Sequence, residues 1–324
     1  MIWYEYYKPG TISEALALTS RFRGEAMYIA GGTDVMVLLK QKKIVPRQLI
    51  SLRNIKELSL MDRLTIGACV THRELQKDEY VKERFSALHD AVCNLGSTQI
   101  RNVATIGGNI CNAAPSADTA CPLLVLGAEA VMVGSDGERR VAIDDFFTGP
   151  GKTVLRKGEI LKSLLLPEFG EMTGSAYIKH TRRNAMDLPI IGVAVRITIN
   201  VGKNGGELQC KDFLNTVESG REILQRFTEE EVRCEDIRIA LGVVSPRPMR
   251  AKKAEAALKG KVISEKIFRE IGEIAASEAA PRDSIRGQAW YRSEMIKVLI
   301  ARAILKSIDR IIRSGGTVYP ERLW

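Results

Sequence analysis

Residues 103–122 read VATIGGNICNAAPSADTACP. An apolar run ends at Thr105 and the glycine pair Gly107–Gly108, and a small polar segment then leads into the apolar PLLVL. Residues 29–39, IAGGTDVMVLL, have the same arrangement, with Gly31, Gly32 and Thr33 ahead of a segment of helical character. A glycine pair lets a ligand approach the backbone because no Cβ obstructs it. N–H groups turned inward there form a nest for anions, and a helix starting at the turn adds the positive end of its dipole. Thr33 and Thr105 add hydroxyls suited to phosphate or ribityl oxygens, while Asn109 and Asp118 suit ligand hydroxyls. A dinucleotide pyrophosphate cradled between two subdomains would use both turns. Taken alone, AGGTD is more often a plain strand-ending turn. Neither stretch is a G-x-G-x-x-G or a Walker motif.

The surrounding chain divides into units. TISEALALTSRF (11–22) pairs Thr11 with Glu14 as a capping box, which predicts an amphipathic helix. AMYIA (26–30), DVMVLLKQKK (34–43) and QLISL (48–52) read as strand, helix and strand, a small βαβ-like unit. RLTIGACV (63–70) opens a second unit, THRE (71–74) is another capping box, and KERFSALHDAVCNLG (82–96) predicts a helix ended by Gly96. In 122–147 a helical turn precedes two strands joined at an Asp136–Gly137 turn, and GEILKSLLLPE (158–168) is a further strand. EFGEMTG (168–174) reads as a linker. Beyond it, GSAYIKHTRR, IIGVAVRITINVG and IRIALGVVSP predict antiparallel strands. RAKKAEAALKG and AWYRSEMIKVLIARAILKSIDRII predict helices, so this half is α+β. The expected division is 1–172, with subdomains of about 1–57 and 58–172, and 173–324. The charged stretch 202–236, with an amphipathic helix around 212–227, reads as a solvated excursion or a subunit contact.

Composition narrows the classes. The 324 residues, 45% hydrophobic, suffice for a large core, and no apolar run of about eighteen residues or more predicts a membrane span. MIWYEYYKPG lacks the pattern of a secretory signal, which favours the cytoplasm. The six cysteines include no C-x-x-C pair, so zinc and cluster spacings are absent and Cys111 and Cys121 read as plain thiols. The net charge is +9, concentrated at LKQKK (39–43), KHTRR (179–183) and RPMRAKK (247–253). With aromatics at 6% and none interleaved with the basic residues, these clusters suit solvent or partner proteins better than nucleic acid.

IAGGTDVMVLL together with IRNVATIGGNICNAAPSADTACP resembles the FAD-binding subunit of molybdenum-containing hydroxylases, the xanthine dehydrogenase and carbon monoxide dehydrogenase medium-subunit family. FFTGPGKT (146–153), EILKSLLLP (159–167), YIKHTRRNAMD (177–187) and LGVVSPRP (241–248) follow in the family's order, so the resemblance spans essentially the whole chain. It implies an α+β fold: a two-subdomain FAD-binding domain of the vanillyl-alcohol oxidase (PCMH) type, then a C-terminal domain with a small antiparallel sheet and helices. By matching position it implies that Ile29, Ala30, Gly31, Gly32, Thr33, Asp34 and Val35 wrap the FAD pyrophosphate. Thr105, Gly108, Asn109 and Cys111 would line the second phosphate and ribityl loop, with Asn112 alongside. Asp118 would bond ribityl or ribose hydroxyls, Ile160 and Leu161 would pack on the adenine or ring edge, and Lys179 would lie near the flavin. The residues alone also allow Asp118 as a helix cap, Lys179 as a surface lysine, Ile160 and Leu161 as core, and Arg182, Arg183 and Asp187 as surface ion pairs. Leu95 stands where animal xanthine dehydrogenases have an aromatic, so acceptor preference does not carry over. Nothing matches the cysteine-rich cluster insert of some relatives.

The resemblance implies an electron-transfer flavoprotein. A large molybdopterin-binding partner would oxidise the substrate, a small partner with two [2Fe–2S] clusters would relay electrons, and non-covalent FAD here would pass them to an acceptor such as NAD. It further implies a dimer of heterotrimers, and FFTGPGKT with RRNAMD leans toward a purine or other N-heterocycle substrate. The alternatives are a self-contained flavin oxidase of the vanillyl-alcohol oxidase type and a non-enzymatic basic binding module. No hydrolytic triad or paired-carboxylate signature is present.

Overall fold

The computed structural model describes residues 4–23, 25–183, 185–200 and 232–312. Three sheets of three or four strands organise it. The first is parallel, in the order β1–β3–β2, with β1 Glu5–Tyr7, β2 Met27–Ile29 and β3 Gln48–Ser51. The helices Ile12–Arg21 and Val35–Lys40 supply the crossovers that parallel pairing requires. Thr11 caps the first of these through Glu14 N, but the Glu14 carboxylate accepts from Gly10 N instead of closing a full capping box. At Thr71 and Glu74 the capping box is complete. β1, in EYY, has no clear sequence signal because its side chains are largely exposed.

The second sheet is antiparallel, in the order β4–β9–β5–β6, with β4 Thr65–Gly67, β5 Glu129–Gly134, β6 Gly137–Ala142 and β9 Ile160–Leu165. The β5–β6 turn is centred on Ser135–Asp136, one residue earlier than expected. Gly134 pairs with Gly137, and Gly137 is the residue at φ 102. The helix expected over 82–96 is broken at Phe85, which leaves helical geometry with φ −120 and ψ 46. Its buried ring meets Tyr80 and Phe169 edge-on, so packing overrides the local helical preference. A short hairpin, β7 Phe147–Gly149 with β8 Lys152–Thr153, completes this half.

The third sheet is antiparallel, in the order β10–β11–β12–β13, with β10 Thr173–His180, β11 Ile191–Asn200, β12 Arg233–Gly242 and β13 Met249–Arg250. Both of its faces are covered, which is why β11 reads as a nearly unbroken apolar run. Ile191, Val193, Val195, Ile197 and Ile199 pack with residues of the helices Lys252–Leu258, Glu265–Glu278 and Ala289–Ile312. Ala194, Ala240 and Tyr177 instead join the core of the second sheet and the helices Ser86–Cys93 and Ala120–Leu126. Glu265–Glu278 carried no sequence expectation. The segment 168–172 is tied down: the Phe169 ring lies under the Arg196 guanidinium and its carbonyl accepts from Arg84. The helix expected around 212–227 lies outside the described residues.

Candidate functional site

The two glycine turns touch each other. A Cβ on Gly31 would lie 2.1 Å from the Val103 carbonyl oxygen and 2.9 Å from Ala104 Cα, so the backbone leading into the second turn occupies that space. Gly32 has φ 75, a left-handed conformation that favours glycine. A Cβ on Gly107 would lie 2.5 Å from the Ala68 carbonyl oxygen, so this glycine lets the second turn settle against the end of β4. The abutting turns line one cavity of about 870 Å³. That is toward the upper end of the ~300–1,000 Å³ usual for ligand sites.

The turns offer different chemistry. The backbone N–H groups of Gly31, Gly32, Thr33, Asp34 and Val35 make no hydrogen bond with the described residues. They form an unbroken run of donors where β2 passes into the helix Val35–Lys40, a ready anion cradle. At the second turn the N–H groups are already engaged. Ile106 N donates to Val70 O, Gly107 N to Ala68 O, Gly108 N to Thr105 Oγ1 and Asn109 N to Thr105 O, at 2.9–3.1 Å. The general reading of a glycine pair as a nest of inward N–H groups therefore does not hold at the second turn. The second turn offers side chains: the Thr105 hydroxyl still has its proton to donate, and Asn109 Oδ1 accepts from Thr119, leaving the amide NH₂.

Of the residues singled out in the sequence, Ala30, Gly31, Gly32, Thr33, Asp34 and Val35 line the cavity from the first turn. Thr105, Gly108, Asn109, Cys111 and Asn112 line it from the second, joined by Asp118, Ile160, Leu161 and Lys179. Ile29 does not reach the cavity. Its side chain packs with Leu39 and Leu49 beneath the first turn. Ile160 and Leu161 belong both to the core and to the cavity wall. Arg183 and Asp187 stand near the opening as a loose pair at 3.9 Å.

Asp118 is not a helix cap, and Lys179 is not a surface lysine. Their side chains are 6% and 7% exposed, and Lys179 Nζ lies 2.8 Å from Asp118 Oδ2. Lys179 also donates to the Asn94 carbonyl at 3.0 Å, and Tyr177 Oη donates to Asp118 Oδ1 at 3.0 Å. Burial pushes the Asp118 carboxyl up, and the Lys179 ammonium opposes it. Burial, reinforced by Asp118, pushes the Tyr177 phenol well above its usual range, so it is a neutral donor.

Sequence reading missed much of the wall, including Met27, Tyr28, Leu38, Ile44 and Leu52. They are apolar or aromatic residues in or beside strands and helices, as ordinary core residues are, so no signal separates them. It also missed His72, which is fully buried against the cavity with neither ring nitrogen hydrogen-bonded among the described residues. Burial, with Arg101 nearby, lowers His72 to about 4, so its ring is neutral. Burial raises the Cys69 and Cys111 thiols to about 11 and about 12. Among the described residues no group of three or more His, Cys, Asp or Glu could hold a metal ion, and no helix is long and apolar enough to cross a membrane.

Comparison with known proteins gives the same direction. The family described as the FAD binding domain in molybdopterin dehydrogenase matches residues 3–169, and the CO dehydrogenase flavoprotein C-terminal domain matches 222–307. The chain is 31% identical over 309 residues to the xanthine dehydrogenase FAD-binding subunit of Escherichia coli O157:H7, covering 94% of this chain and 95% of that one. It is 28% identical over 304 residues to the glyceraldehyde dehydrogenase medium chain of Sulfolobus acidocaldarius, covering 93% and 96%. The carbon monoxide dehydrogenase of Hydrogenophaga pseudoflava, solved lacking the Mo-pyranopterin moiety of its molybdenum cofactor, superposes with a TM-score of 0.80 at 29% identity, covering 95% and 98%. The chain thus belongs to the FAD-binding subunits of the xanthine and carbon monoxide dehydrogenase family of molybdenum hydroxylases, and is an oxidoreductase subunit.

Proposed function

We propose that this chain binds FAD non-covalently in the cavity between its two glycine turns and carries electrons within a molybdenum hydroxylase complex. The observation that carries the reading is the run of N–H groups from Gly31 to Val35 with no partner among the described residues, which fits a pyrophosphate without further charged side chains. In this reading Ala30 to Val35 hold the pyrophosphate from the first turn, while Ile29 supports that turn from the core. Thr105 and Asn109 orient phosphate and ribityl oxygens, and Gly108, Cys111 and Asn112 shape the wall beside them. Ile160 and Leu161 give an apolar face for a ring. Asp118 and Lys179 bring a paired negative and positive charge to the far wall. Bound FAD would supply the redox chemistry; the chain binds it, orients it and sets the charge around it.

The electron source would be two [2Fe–2S] clusters on a small partner, fed by a large molybdopterin-binding partner, in a dimer of heterotrimers located in the cytoplasm. NAD is the acceptor we favour and a purine or other N-heterocycle the substrate, both resting on the sequence resemblance. A self-contained oxidase of the vanillyl-alcohol oxidase type would need a free base at the cavity wall. Asp118 is already committed to Lys179 and Tyr177, burial keeps His72 a weak base, and Asp34, its carboxyl raised by burial, lies at the first turn, where this reading puts the pyrophosphate. The test is to titrate the purified chain with FAD, then assay it with xanthine, alone and co-expressed with both partners. We expect stoichiometric FAD binding, no oxidation by the lone chain and turnover by the complex. Xanthine oxidation by the lone chain, free of molybdenum and iron, would refute the proposal in favour of the oxidase.

A further inference from the structure

Successive side chains on one face of β10 reach into the other half of the molecule. Ser175 Oγ accepts from Ala87 N at 3.1 Å, Tyr177 Oη donates to Asp118 at 3.0 Å and Lys179 Nζ donates to Asp118 at 2.8 Å. Positions two apart on a strand share a face, so these residues form one polar row. Tyr177 is the middle member of the row. It is 3% exposed, its N–H is taken by Asp90 Oδ2, and Gly192 on the neighbouring strand leaves room for its phenol. A Cβ on Gly192 would sit 2.7 Å from Tyr177 Oη.

Lys179 and Asp118 line the cavity, whereas Tyr177 does not. We propose that Tyr177 is a positioning residue for the cofactor site, its hydroxyl fixing the Asp118 carboxylate so that Lys179 is held at the cavity wall. The inference rests on the reading of the cavity as the FAD site. A buried carboxylate needs more than one partner to stay charged, because burial penalises its charged form. The titratable groups facing Asp118 among the described residues are Tyr177 and Lys179 from β10 and the buried Cys121 on the helix that follows it. Cys121, its thiol raised by burial, is neutral and offers no compensating charge. Removing the phenol hydroxyl leaves Lys179 as the one group stabilising the carboxylate, so Asp118 protonates at higher pH. The ionised pair is present above that pH and is lost as pH falls through it. FAD affinity that depends on the pair must weaken along the same limb.

The experiment measures FAD affinity of the full chain by flavin fluorescence from pH 8 to pH 4.5, for the natural protein, Tyr177→Phe and Gly192→Ala. Circular dichroism at each pH reports retention of the fold. Tyr177→Phe keeps the ring and removes only the hydroxyl, whereas Gly192→Ala keeps the hydroxyl and displaces it. We expect the acid midpoint of FAD binding to move upward by about half a pH unit or more in both variants. We also expect about threefold or greater weakening near neutrality, the loss of one hydrogen bond's net contribution. A uniform weakening with an unmoved midpoint, or no change, would overturn the positioning role and leave Tyr177 as packing. If one variant fails to fold, the other decides by the same criterion. Failure of both would mean that the hydroxyl serves the fold, which also overturns it. A natural chain that binds no FAD at any pH sinks the reading of the cavity, and this inference with it.

Discussion

Gly31→Ala puts the contact between the two turns to a direct test. Its added Cβ would lie 2.1 Å from the Val103 carbonyl oxygen, whereas Cβ atoms essentially never approach a heavy atom closer than 3.0 Å. The turns must therefore part by nearly an ångström. The opposing atoms are backbone, so no side-chain rotation relieves the clash. Overpacking of this kind costs about 1–3 kcal/mol. If the turns stay together the cost falls on the fold; if they part, the N–H run from Gly31 to Val35 shifts away from Thr105 and Asn109 and the cost falls on FAD. At 1.4 kcal/mol per factor of ten, full transfer to binding corresponds to roughly 5- to 150-fold weaker affinity. Gly170→Ala is the matched control, since its Cβ meets nothing within 4 Å and its φ is not left-handed. FAD titration of the apo chain gives the affinity and thermal unfolding of the same samples gives the stability. The reasoning fails if Gly31→Ala matches the natural protein in both while Gly170→Ala does as well.

Three further predictions rest on other contacts. Lys179→Met strands the buried Asp118 carboxylate, so we predict a loss of about 3–5 kcal/mol in chemical denaturation, largely recovered in the Lys179→Met/Asp118→Asn double variant; no recovery would mean that the pair is not coupled. Burial alone would raise Asp90, but Arg310 and Lys306 from the last helix overcome it and hold the carboxyl at about 2. Its stabilising contribution, roughly 2–3 kcal/mol, is complete above the unfolded value of ~3.9 and is lost as pH falls through about 2. Asp90→Asn should therefore be less stable than the natural chain at pH 6, with the gap closing toward pH 2; a constant gap across that range contradicts the assignment. Finally, Cys69 and Cys111 at the cavity are neutral thiols, raised by burial to about 11 and about 12, so neither is poised to attack a flavin. Acid precipitation should release all flavin to the supernatant, and yellow colour in the pellet would count against non-covalent binding.

Much of the architecture was legible because its signals are local. The run 289–312 gives a helix with those bounds, its apolar residues recurring at helical spacing. The glycine pairs, too, lie where backbones meet. The division of labour between the turns was not legible. Whether the N–H groups of Ile106 and Gly107 are free depends on Val70 and Ala68, which approach through the isolated bridge between Thr71 and Thr105. No residue type announces such a partner. Tyr28, Leu38 and Leu52 escaped notice because a cavity wall and a core ask for the same side chains. Tyr177 reads as one more aromatic in an apolar strand, and its hydroxyl matters only once β10 lies against Asp118.

The polar row on β10 also limits how this chain can change in length. β10 and β11 pair without a bulge from Thr173↔Thr198 to His180↔Ile191, and the connection between them closes the hairpin. Residues inserted into that connection leave the ladder in register, so it is free to lengthen and vary around the opening of the cavity. One residue inserted between Ser175 and Lys179 would instead turn the lysine to the opposite face, toward the helix Ala289–Ile312, and take its charge away from Asp118. Variation around this cavity is therefore open to the connection, whereas the strand keeps a fixed count of residues.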